Sequence, residues 1–154
     1  MSVPARRGVS FLVLIMVASS LLAAGSSVAQ GKPVTVYTRF TDEDVTRFLQ
    51  EDGFQFTPRG SGGFQVVLSG RKCGLVNRET NLLISTYMKG AVPLDRINEW
   101  NIKYRFSHAY VDDEGDTAVE ADLSLEGGIT KERFTSYIKT FQMTVSAFSE
   151  FVKK

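Results

Sequence analysis

Glu120 and Asp122, two carboxylates two positions apart, have the clearest spacing for chemistry in this chain. On a pleated strand, residues i and i+2 emerge on one face about 7 Å apart, a separation that suits paired-carboxylate hydrolysis. The run Asp112-Asp113-Glu114-Gly115-Asp116 offers the clustered oxygens that a hard cation such as calcium takes. Cys73 and His108 are the single cysteine and the single histidine, and a nucleophilic dyad would need them adjacent with a third group to orient the ring.

Each of these has a plainer reading. Counted as an EF-hand loop, the acidic run misplaces its glycine and puts Leu123 at the twelfth position, so it reads as a hairpin turn. Glu120 and Asp122 alternate with Val119, Ala121 and Leu123, the pattern of a strand with one wet face. His108 is in register with Phe106 and Tyr110, so it is expected to pack among aromatics with one ring nitrogen satisfied. Its ordinary pKa also makes it the one candidate for pH sensing. Gly60-Ser61-Gly62-Gly63 lacks the Gly-Lys-Ser/Thr of a phosphate loop and reads as a flexible reversal. Arg71-Lys72 is too short a basic cluster for nucleic acid. One cysteine and one histidine exclude an intramolecular disulfide and multi-thiolate or multi-histidine metal centres. No catalytic residue, metal or cofactor is expected.

The first thirty residues carry an address. Arg6 and Arg7 precede an uncharged stretch from Val9 to Ala24, and small residues lead to Ser27-Val28-Ala29 before Gln30. That is the pattern of a secretory signal, so residues 1–29 read as a signal peptide cleaved after Ala29, with the mature protein periplasmic or secreted. The stretch is shorter than the roughly twenty residues a bilayer requires, so no stable membrane anchor is expected after cleavage. In such a compartment an unpaired Cys73 reads either as buried and inert, the preferred reading, or as a site of occasional dimer cross-linking. The whole chain has 154 residues, 18 Lys+Arg against 17 Asp+Glu, and 43% apolar residues: one globular domain with no electrostatic lean toward nucleic acid.

The elements that must position these side chains follow from periodicity. Residues 30–40 read as a tail or extended lead-in, and a single domain occupies 41–154. Thr41 with Asp44 forms a capping box ahead of Val45, Phe48 and Leu49, which predicts a helix over 41–52. Period two follows, with a strand from Phe54 stopping at Pro58 and a second over Phe64–Ser69. A third strand is expected at Cys73–Asn77 and a fourth at Asn81–Met88. Leu94, Ile97 and Trp100 step along a helix over 93–102 that starts at Pro93. Strands at 106–111 and 117–123 flank the acidic turn. A last helix, capped by Thr130, carries the stripe Phe134, Tyr137, Ile138, Phe141, Val145, Phe148 and Val152. Beside it, Met143, Ala147 and Phe151 make a second strip that is either deeper core or a self-association face. The order α-β-β-β(-β)-α-β-β-α predicts a two-layer α+β domain: an antiparallel sheet with three helices on one side and the other side partly open.

The segments Leu94-Asp95-Arg96-Ile97-Asn98-Glu99-Trp100-Asn101, Arg105-Phe106-Ser107-His108-Ala109-Tyr110-Val111-Asp112 and Val119 through Thr130, with Leu125-Glu126-Gly127-Gly128, resemble the YbjN domain family. The resemblance covers roughly 41–152. It implies a "putative bacterial sensory transduction regulator" and a fold like that of type III secretion chaperones, which often dimerise and hold client polypeptides.

These readings lead to a non-enzymatic, exported, chaperone-like or regulatory domain that binds a protein or peptide, or a second copy of itself as a homodimer. The partner-binding residues assigned are Trp100, Glu120, Asp122, Met143 and Phe151. The rival is a small-ligand-binding protein or hydrolase using the Glu120/Asp122 face.

Overall fold

Thr41 starts the first helix as its side chain requires. In a computed structural model that describes residues 33–153, its hydroxyl accepts the Asp44 N–H at 3.1 Å while Asp44 Oδ2 accepts the Thr41 N–H at 3.1 Å. This reciprocal cap sets helix α1, Asp42–Glu51, which buries Val45, Phe48 and Leu49. Six strands follow in antiparallel pairing: β1 Phe56–Gly60, β2 Gly63–Leu68, β3 Arg71–Asn77, β4 Asn81–Met88, β5 His108–Val111 and β6 Thr117–Ser124. Helix α2, Leu94–Lys103, lies between β4 and β5, and α3, Lys131–Phe151, closes the chain. The α+β class and element order match the expectation.

Strand order is β1-β2-β3-β4-β6-β5, so the chain leaves β4, makes α2, enters the sheet at its far edge as β5 and returns to pair β6 with β4. Along β2, β3, β4 and β6 every second residue is buried: Phe64, Val66, Leu68; Cys73, Leu75; Leu82, Ile84; Val119, Ala121, Leu123. These residues and the helix stripes make one core. Phe40 meets Phe48 and Phe134 edge to face at 5.4 and 5.7 Å, Phe48 and Phe134 lie tilted at 5.5 Å, and Trp100 stacks on Tyr104 at 3.8 Å while making T-shaped contacts with Phe148 and Phe151. Among the described residues no helix is long and apolar enough to cross a membrane.

Several details differ from the sequence reading, among them β5, which begins at His108 and not at Phe106. β1 does not stop at Pro58 but runs through it to Gly60. The Gln55 carbonyl accepts the Val67 N–H, so Gln55 and Thr57 face β2 while the Pro58 nitrogen faces the free edge, where a missing N–H costs nothing. The reversal at Gly60–Gly63 is a tight two-residue turn, with Ser61 at φ 49° and Gly62 at φ 76°. A Cβ on Gly62 would sit 2.3 Å from the Asn77 carbonyl oxygen, so only glycine fits. Leu94 is exposed while Ile97 and Trp100 are buried, because three-residue steps of about 300° rotate the stripe off the core. The second strip of α3 splits: Phe151 belongs to the core, Ala147 is half-buried and Met143 is 65% exposed.

The proposed signal segment 1–29 lies outside the described residues.

Candidate partner-binding face

The outward residues of the sheet form the surface opposite the helices. Counting outward from the Asp112–Asp116 turn places His108 opposite Glu120 and Tyr110 opposite Ala118. β4 adds Ser85 opposite Glu120 and Tyr87 opposite Ala118. Glu120 is the hub of this region. Its Oε1 lies 2.8 Å from His108 Nε2, and its Oε2 accepts the Tyr110 hydroxyl at 3.1 Å. The His108 ring stacks on Tyr110 at 6.0 Å. Burial, and then the Glu120 carboxylate, push the Tyr110 phenol up to about 12, so it stays protonated and donates to Glu120.

The structure separates the two carboxylates expected to act as a pair. Both emerge on the outer face as alternation requires, but Glu120 is tied to His108 and Tyr110, whereas Asp122 is exposed and opens onto a groove beside Phe106. His108 stacks on one aromatic and finds a partner for one nitrogen, yet it stands in solvent, because Phe106 leaves the strand and is itself 75% exposed. Cys73 is buried on the inner face, while His108 projects from the outer one, so no dyad forms. Burial pushes the Cys73 thiol up. In the acidic turn, Asp112 Oδ1 accepts the N–H groups of Glu114 and Asp116, and Asp116 Oδ1 accepts that of Gly90. These carboxylates close turns.

Of the residues assigned to partner contact, Trp100 and Phe151 need correction. Trp100 is fully buried and Phe151 nearly so, with the Arg96 guanidinium 4.0 Å over the Phe151 ring, so neither side chain offers a surface to a partner. Both looked available because a lone aromatic on an amphipathic helix has the same spacing whether it docks inward or outward. Glu120, Asp122 and Met143 remain at the surface to different degrees. The reading missed Tyr87 and Tyr110, which enclose Ala118 on the outer face; the signal was the symmetry of the hairpin about its acidic turn.

The conspicuous motif around Trp100 is structural. Asn101 takes both backbone groups of Ala109, at 2.8 and 3.0 Å, and Arg96 donates to the Phe151 carbonyl at 2.7 Å. Glu99 is ion-paired with Arg96 and Lys103. The model of the family described as YbjN, "Putative bacterial sensory transduction regulator", matches residues 41–154. The chain belongs to the YbjN family. Its fold is similar to that in "Crystal structure of YbjN, a putative transcription regulator from E. coli", with a TM-score of 0.61 at 14% identity, over 73% of this chain and 90% of that one. At that identity the likeness concerns the fold. No curated protein matches the chain. The contacts of Arg96 and Asn101 thus tie α2 to β5 and to the end of α3.

Proposed function

We propose that this YbjN-family domain is a non-enzymatic regulatory module that holds another polypeptide against its outer sheet face. One observation carries the reading. All described helices pack on the inner face, and the outer face presents Val67, Val76, Leu83 and Tyr87 among Lys72, Glu120 and Asp122 without a covering element among the described residues. Half-exposed aliphatics interspersed with charges and a tyrosine are the composition of a polypeptide-binding patch. The basic, uncharged and small-residue order of residues 1–29 supports export, with the domain acting in the periplasm or outside the cell.

The test is photo-crosslinking in the producing cell from a reactive residue at Tyr87, with Lys139 on the outside of α3 as control. A discrete adduct from Tyr87 and none from Lys139 is expected, and an adduct of twice the chain mass would identify the partner as a second copy. Equal labelling from both positions would overturn the reading. Export is checked by sequencing the mature N-terminus, expected at Gln30.

A further inference from the structure

β6 has eight residues and β5 only four, and their ladder ends at His108 opposite Glu120. The direction of the remaining backbone groups follows from Asn101. Because the Ala109 N–H and carbonyl both bond to Asn101, they face away from β6, so His108 and Tyr110 are the residues that bond to Glu120 and Ala118. By alternation, the N–H and carbonyl of Asp122 and Ser124 point the same way, past the end of β5, where no strand meets them. The opposite edge of the sheet is blunted by Pro58 and Arg59 on β1. The β6 overhang carries no proline.

Beside this open edge lies a groove of about 250 Å³ lined by Phe106, Asp122, Arg133, Ser136, Tyr137 and Thr140. Arg133, Ser136 and Thr140 follow one another along α3 and make a wall of hydrogen-bond donors. Among the described residues neither Arg133 nor the neighbouring Arg105 forms an ion pair, and the Ser136 and Thr140 hydroxyls hold no partner. We infer that the β6 overhang at Asp122–Ser124 is a strand-addition site for an extended peptide whose groove-facing side chain is acidic. The backbone of the peptide continues the sheet where β5 stops, and its carboxylate meets Arg133 and the hydroxyls of α3. This deepens the polypeptide-binding reading above and rests on it for the class of partner.

The probe is a capped peptide of about nine residues, alternating threonine and valine with a central glutamate, titrated against the full chain beside its central-lysine counterpart. The glutamate peptide is expected to bind at least tenfold more tightly and to slow amide exchange at Asp122 and Ser124, leaving Ala121 and Leu123, already bonded to β4, unchanged. Arg133→Gln should erase the preference for glutamate. Asp122→Pro, which removes a donor that β4 does not use, should abolish binding; should that variant not fold, the exchange pattern and Arg133→Gln carry the test. Equal binding of both peptides, binding of neither, protection elsewhere, or protection caused by raising the protein concentration alone would each overturn the inference. Loss of the Tyr87 adduct with the edge protection intact would count against the sheet-face reading only.

Discussion

Asn101 on α2 bonds both backbone groups of Ala109 on β5, donating from Nδ2 to the carbonyl at 3.0 Å and accepting the N–H at Oδ1 at 2.8 Å. A side-chain amide here does what a seventh strand would do for that residue. Asn101→Ala leaves a part-buried donor and acceptor without partners and should cost about 2–3 kcal/mol in urea denaturation. Asn101→Asp keeps the acceptor for the Ala109 N–H but turns a carboxylate oxygen toward the Ala109 carbonyl, and should cost at least as much.

Trp100 and Phe151 belong to the core, and Met143 does not. Trp100→Ala is expected to cost about 3–5 kcal/mol, with a comparable loss for Phe151→Ala, while Met143→Ala should stay within about 0.5 kcal/mol. Equilibrium unfolding followed by far-UV circular dichroism distinguishes them, and a cost at Met143 as large as at Trp100 would contradict the assignment.

Gly62 and Gly53 have nearly the same φ, 76° and 73°, but only Gly62 approaches another backbone atom. Gly53→Ala should cost about 1 kcal/mol from the left-handed conformation alone. Gly62→Ala must also displace the Asn77 carbonyl and should cost at least about twice as much, read as a drop in melting temperature relative to Gly53→Ala.

Tyr110 should titrate late. Its folded pKa, raised to about 12 by burial and by Glu120, lies above the ordinary value of 10.0, so the folded state holds the proton longer than the unfolded chain. The stability this contributes is complete below pH 10.0, and it declines as pH rises through about 12. Absorbance titration of phenolate should show a late component that Tyr110→Phe reduces, and Glu120→Gln should move Tyr110 toward 10.0. A Tyr110 that ionises at its ordinary pH in the wild-type chain would show that the hydroxyl does not donate to Glu120.

Cys73 is buried, and burial disfavours its thiolate. A thiol-specific disulfide reagent should therefore label the native chain slowly and the urea-unfolded chain within its normal time, the ratio of rates reporting how often the β3 region opens.

Much of this architecture was legible in the residues themselves, wherever local chemistry decides local structure. The Thr41/Asp44 capping box begins α1, the bounds of β4 follow its alternation, and the acidic turn sets the register that brings His108 to Glu120. Those features depend on neighbours a few positions away. The tertiary structure decided what depends on distant chain. Whether Phe151 and Trp100 face core or solvent depends on how α2 meets α3, which Arg96 and the Phe151 carbonyl determine across 55 positions. That β1 could pass through Pro58 depends on its place at the sheet edge. The separation of Glu120 from Asp122 arises because β5 stops between them, occupying one carboxylate and leaving the backbone of the other open. Periodicity records which face a side chain takes, while the ends of a strand's partner, set by helices elsewhere in the chain, determine which of those side chains and backbone groups are free to bind.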